Sequence, residues 1–164
     1  MREIVVSMQN TLLSEAVARS LAETGDFRVE QVLPGKTDDT FSLCRAVQAD
    51  ILLMEVSRLL AYTLENRLKL IECVRRAMPN CKFVLLCDEN GDPELAHRVM
   101  IVRQDRLIDA FLYASVTPAY LTAALDALRE RSDRPEKTME AHFRWTACRA
   151  GAVPVSMLCW SRAI

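Results

Sequence analysis

The sequence is poor in the residues from which cofactor sites are built. It holds only four glycines, six prolines and two histidines in 164 residues. Neither G-x-G-x-x-G nor G-x-x-x-x-G-K-[ST] occurs, so no turn lets the backbone close around a pyrophosphate, and nucleotide or flavin binding is disfavoured. No G-x-S-x-G is present, which leaves hydrolase chemistry without a nucleophile elbow. Net charge is also lacking: 21 basic residues against 22 acidic give −1. That balance offers no global attraction for nucleic acid or for an anionic membrane. With 51% hydrophobic and 26% charged residues, disorder throughout, collagen-like repetition and a membrane span are set aside. The N-terminus, Met1-Arg2-Glu3-Ile4-Val5-Val6, runs straight into a strand-like segment without an apolar h-region or cleavage site. A cytoplasmic location is therefore expected.

Six cysteines stand at 44, 73, 81, 87, 148 and 159. None forms a C-x-x-C pair or lies at metal-ligand spacing from a histidine. Neither a metal nor any other cofactor is expected. The first four fall within apolar segments, and buried, reduced thiols are the economical reading.

What is present is a repeated alternation. Ile4-Val5-Val6, Phe27 to Leu33, Ile51-Leu52-Leu53-Met54, Phe83-Val84-Leu85-Leu86 and Ile108 to Tyr113 have strand composition, several of them as continuous apolar runs. Between them lie helical stripes. Leu12, Leu13, Ala16, Val17 and Leu21 follow an N-cap at Asn10 or Thr11 and stop at Gly25. A short helix starting at Asp38 or Asp39 buries Phe41, Cys44 and Val47, and Leu64, Leu68, Ile71, Val74 and Met78 form a stripe ended by Pro79. Asp92-Pro93 opens a helix carrying Leu95, Val99 and Met100, and Thr117-Pro118 opens one carrying Leu121, Ala124, Leu125 and Leu128. Five strands each followed by a helix predict an α/β fold: an open, doubly wound parallel sheet with helices on both faces.

Ligands of such sheets bind beyond the carboxyl ends of the strands. That rule selects Ser7-Met8-Gln9, Glu55-Val56-Ser57, Cys87-Asp88-Glu89 and Ala114-Ser115. Its acids, Glu55, Asp88 and Glu89, have the hardness for a cation such as Mg²⁺. Against that, Asp88 to Asp92 reads as a polar turn leading into a helix cap, which leaves Glu55 alone. His97 falls within a helix and is read as a surface or half-buried side chain.

Three stretches carry a family resemblance. Ala49 to Glu55, Val74 to Leu86 and Ala110 to Leu121 are similar to receiver domains of bacterial two-component response regulators, closest to those of LuxR/NarL-type regulators. The resemblance covers about residues 1–131. It implies a flavodoxin-like (CheY-like) five-stranded sheet in the order 2-1-3-4-5. The family's active-site residues are replaced one after another. An ungapped match puts Met8 and Gln9 where an acidic pair binds Mg²⁺, Glu55 at the phosphoacceptor aspartate, Cys87 at the hydroxyl residue and Ala114 at the lysine. Arg58-Leu59 stands for the Met-Pro after the acceptor, and the hydroxyl-aromatic switch becomes Cys87 and Phe111.

Phosphoryl transfer depends on positioning and charge neutralisation, so useful phosphorylation is not expected. Glu55 is then either an imitation of phosphoaspartate or a partly solvated acid at a strand end. The implied function is a phosphorylation-independent signalling and protein-interaction module, without enzymatic activity. The alternatives are a phosphorylatable or metal-binding receiver using Glu55 and Asp88, and a small flavodoxin-like enzyme.

Residues 132–164 begin with the polar Ser132 to Lys137 and continue rich in Ala, Arg and Cys, with Trp145 and Trp160. These 33 residues are too few for a LuxR-type helix-turn-helix unit, so direct nucleic-acid binding is not expected, nor is a membrane contact. The resemblance implies a sensor kinase or regulator as partner and a homodimer through residues about 93–131. In that segment Arg98, Arg103, Asp105, Arg106 and Asp109 face the choice between pairing with Asp126, Arg129 and Glu130 across a two-fold axis and forming a solvated surface.

Overall fold

A computed structural model describes residues 1–130 apart from Pro34, Thr37, Asp38 and Glu89. The expectations for 132–164, for Glu89 and for a helix start at Asp38 lie outside the described residues. The order is β1 (Arg2–Ser7), α1 (Thr11–Glu23), β2 (Phe27–Gln31), α2 (Thr40–Val47), β3 (Ile51–Glu55), α3 (Leu64–Ala77), β4 (Lys82–Cys87), α4 (Pro93–Gln104), β5 (Ala110–Tyr113) and α5 (Pro118–Asp126). Short 3₁₀ turns occupy Leu60–Tyr62 and Ala127–Glu130. The five strands form one parallel sheet in the order β2-β1-β3-β4-β5. This is the doubly wound parallel sheet expected from the repeat, with the strand order that the family resemblance implies.

Continuous apolar strands follow from helices on both faces. Ile4, Val6, Ile51, Leu53, Val84, Leu86 and Leu112 point to one face, where Val17 and Leu21 of α1 and Leu121 and Leu125 of α5 complete a core cluster. Their neighbours Val5, Leu52, Met54, Phe83 and Leu85 are equally buried on the other face. The helix starts are fixed locally. Asn10, Thr63, Asp92 and Thr117 each accept a hydrogen bond from a backbone N–H three residues on, and Pro93 and Pro118 sit in the first turns of α4 and α5. Past the end of α1, Gly25 takes a left-handed φ of 76° that a side chain would resist.

Several faces differ from the pattern in the sequence. On α1, Leu12 and Ala16 are exposed, and Ser14 and Ala18 take the inward positions. Ser14 is tolerated there because its hydroxyl donates to the Gln31 side chain at 2.8 Å. In α2, Thr40 and Cys44 are fully buried, and Phe41 and Val47 only partly. Cys73 is exposed, because Ile71 and Val74 turn α3 inward on either side of it. The other described cysteines, Cys44, Cys81 and Cys87, are buried, and none of the four is disulfide-bonded. Burial pushes the Cys44 and Cys81 thiols up to about 12, which keeps them protonated. β2 ends at Gln31, and β5 starts at Ala110, after a buried Ile108.

Candidate functional site

Glu55 closes β3 opposite Leu86 of β4, on the face covered by α1 and α5. Its carboxylate oxygen Oε2 accepts from the backbone N–H groups of Gln9, at 2.7 Å, and Asn10, at 3.2 Å. These donors lie at the start of α1, where N–H groups lack helical partners and the helix dipole favours negative charge. No acid occupies the first turn of α1; Glu55 supplies one from the neighbouring strand. The half-buried Gln9 is held in turn by the Ser57 hydroxyl, which donates to its Oε1 at 2.9 Å.

The other residues of the expected pocket spread over several environments. Met8 is buried in the core cluster, with 1% exposure. Ala114 packs partly buried against the same cluster, and its N–H donates to the carbonyl of Cys87 at 2.9 Å. Cys87 is buried. Phe111 is half-buried and stacks edge-on against Tyr113, with centroids 4.9 Å apart. Asp88 accepts from the N–H of Asn90 at 3.0 Å, and its carbonyl accepts from Asp92 at 3.1 Å. A methyl group on Gly91 would meet Asp88 Oδ2 at 2.7 Å, so a side chain there would displace the Asp88 carboxylate. The carboxylates of Glu55 and Asp88 are thus each bound to the backbone of a different loop. Among the described residues no three of His, Cys, Asp and Glu converge as metal ligands.

The residue at the centre of the site is one that sequence reasoning passed over. Arg67 of α3 is 1% exposed. Its Nε donates to the carbonyl of Glu55 at 3.0 Å, Nη1 to the Ser7 hydroxyl at 3.1 Å and Nη2 to the Ser7 carbonyl at 2.9 Å. The guanidinium lies 4.7 Å from the centre of the Tyr62 ring. The Tyr62 hydroxyl donates to the carbonyl of Met8 and accepts from the N–H of Gly35, both at 3.4 Å. The hydroxyls of Ser7 and Thr40 are 3.5 Å apart and buried. Burial lowers the Arg67 pKa to about 10, opposed by the nearby Tyr62 and Glu55. It remains a cation at neutral pH. The signal in the sequence was its phase: Arg67 falls between Leu64 and Ile71 on the apolar stripe of α3.

At the rim, Arg58 reaches from the β3–α3 loop to α4. Its Nε and Nη2 engage both carboxylate oxygens of Asp92, and Nη2 approaches Glu94 at 3.5 Å. Hydrogen bonds from Arg58 and from the N–H of Leu95 hold Asp92 at about 2, well below the usual carboxylate value. Charges expected to face a second copy are partly used within the chain: Arg98 pairs with Glu65, Asp126 with Arg2, and Asp109 accepts from the N–H of Phe83 at 2.8 Å.

No family model matches the sequence, and no curated protein matches it. Solved structures do. The receiver domain of the response regulator NarL from Mycobacterium tuberculosis matches with a TM-score of 0.60 at 18% identity, over 79% of this chain and 98% of that one. A response regulator receiver domain from Clostridium thermocellum gives 0.63 at 13% identity, over 80% of this chain and 96% of that one. A pilus assembly protein (cpaE) from Burkholderia thailandensis gives 0.61 at 17% identity, over 80% and 100%. The fold is that of response-regulator receiver domains, and at these identities the likeness extends to the fold alone. No helix among the described residues is long and apolar enough to cross a membrane.

Proposed function

We propose that the chain is a pseudo-receiver: a receiver-type domain that no longer takes part in phosphoryl transfer and works in signalling as a protein-interaction module. The observation that carries this reading is the state of Glu55. One oxygen of its carboxylate, Oε2, accepts from two backbone N–H groups, which ties the side chain to the start of α1. Met8, Gln9, Cys87 and Ala114 bring neither metal-binding acids nor the hydroxyl and lysine that would neutralise a transferring phosphoryl group. Glu55 is then a fixed structural anion, and neither Cys87 nor Phe111 carries a hydroxyl for a phosphorylation-driven switch. No catalytic role belongs to this reading.

The alternative of a metal or phosphate site shared by Glu55 and Asp88 fits poorly, because each carboxylate is tied to its own loop. A small enzyme would need an enclosed pocket at the strand ends, whereas the groove at the carboxyl end of β2, lined by Gln31, Val32, Leu33, Lys36, Leu43 and Ala46, is open to solvent. That receiver-type folds also occur in a pilus assembly protein is compatible with a role apart from transcription. The partner surface in this reading is α4-β5-α5, about residues 93–131, where Ile101 and Tyr120 are exposed. With part of its charge committed internally, self-association there would rest on these apolar side chains. Light scattering at high micromolar concentration is expected to give twice the chain mass for the wild type and a single mass for Tyr120→Asp.

The phosphorylation reading is tested by incubation with acetyl phosphate and Mg²⁺ followed by intact mass measurement. An unchanged mass is expected. An adduct of one phosphate that disappears in Glu55→Gln overturns the proposal.

A further inference from the structure

We infer that Arg67 is a built-in cation of the carboxyl edge, with Glu55 as its counter-charge, so that the strand ends are held together permanently and without a bound ion. The inference rests on the pseudo-receiver reading and adds what replaces the lost charges.

The physical problem is a guanidinium removed from water. A buried charge without compensation is strongly unfavourable, and Arg67 makes no ion pair among the described residues. Its compensation is distributed. Three nitrogens donate to the ends of β1 and β3. The Tyr62 ring covers one side of the plane. Glu55, whose carbonyl takes the Nε bond, also carries a carboxylate, and its charge opposes the lowering of the Arg67 pKa by burial. Glu55 is itself fixed by the N–H groups of Gln9 and Asn10. The chain of contacts runs from α3 through Arg67 to β1 and β3, and through Glu55 to α1. The Tyr62 hydroxyl extends it to the loops after β1 and β2. One side chain thereby ties together the loops at which a doubly wound sheet would admit a ligand.

Arginine suits this role because its planar fork reaches two strand ends at once and stacks on an aromatic ring, and because it stays charged when buried. Lysine at the same position keeps the charge but loses the fork and the stack.

The test is a double-mutant cycle in the full chain, read by urea unfolding with Glu55→Gln and Arg67→Met. Glu55→Gln keeps an acceptor for Gln9 and Asn10 but leaves the buried cation without its anion. Its effect on the unfolding equilibrium constant should be about tenfold larger with Arg67 present than in the Arg67→Met background, where the side chain carries no charge. Additive effects, equal within about twofold, overturn the inference. If Arg67→Met does not fold, Arg67→Lys takes its place: Glu55→Gln should then remain as damaging as in the wild type, since the charge persists, and a loss of that sensitivity counts against a charge-based role. A second readout uses Mg²⁺ alone. The amide resonances of Gln9 and Asn10 should not move in the wild type, and a saturable shift would show that the edge still needs an external cation. The acetyl phosphate experiment remains separate: an adduct removes the pseudo-receiver reading whatever the cycle gives, whereas additivity without an adduct removes only the role of Arg67.

Discussion

Single side chains at the carboxyl edge divide into those that the local sequence specifies and those that only the folded chain specifies. Asp92 is of the first kind. Asp followed by Pro favours a helix start, and Asp92 accepts from the N–H of Leu95 at 3.1 Å in the manner of an N-cap. Its second partner, Arg58, comes from another loop, and together they lower its pKa from 3.8 to about 2. A carboxyl whose pKa is depressed on folding stabilises the native state above its unfolded value and loses that contribution as pH falls through the folded one. The Asp92 contribution is therefore complete above about pH 4 and fades towards pH 2. An NMR titration should find Asp92 moving back towards 3.8 in Arg58→Ala, and the stability of Asp92→Asn should fall less than that of the wild type between about pH 4 and 2. An unshifted Asp92 in Arg58→Ala would mean that Arg58 does not hold it. Arg67 is of the second kind. Its phase on α3 marks it as inward-facing, but the acceptors that make burial tolerable are the ends of β1 and β3, which are remote in sequence. Glu55 lies between the two kinds: its place at a strand end was legible, and its capture by α1 was not.

Secondary elements were read well where their signals are local or redundant. Ile51 to Met54 and Phe83 to Leu86 are apolar on both faces because helices cover both, so no phase had to be chosen. Helices are harder, since a rotation of one residue exchanges the faces. Leu12 and Ala16 fit an apolar stripe on α1, yet the helix is turned so that Ser14 and Ala18 pack inward, and the Ser14 hydroxyl finds Gln31 only in the assembled fold. The start of α5 carries a checkable consequence. Thr117 caps it by accepting from the N–H of Tyr120 at 3.3 Å, and the helix goes on to bury Leu121 and Leu125. Thr117→Ala should lower stability by about 1 kcal/mol in urea unfolding, and Thr117→Ser should restore most of it. Equal losses in the two variants would mean that the methyl group, and not the hydroxyl, matters there.

At the scale of the molecule, the question is how much chain the sheet needs. The core cluster draws on β1, β2, β3, β4 and β5, from Ile4 to Leu112, and is completed by Leu121, Leu125 and finally Leu128 in the turn after α5. Past that turn no residue is required by the five-fold repeat, which places the domain boundary proposed here near residue 131. Leu53, fully buried on β3 at the middle of the sheet, serves as an internal probe of that boundary. A chain cut after residue 131 should unfold cooperatively in urea with the denaturant slope expected for its size. Leu53→Ala should destabilise the cut and the full-length chain alike, by about 2–5 kcal/mol, because the cavity it opens is lined by residues present in both. A cut chain that lacks a cooperative transition, or that responds to Leu53→Ala much more weakly than the full chain, would mean that residues beyond 131 complete the core, and the boundary would have to move.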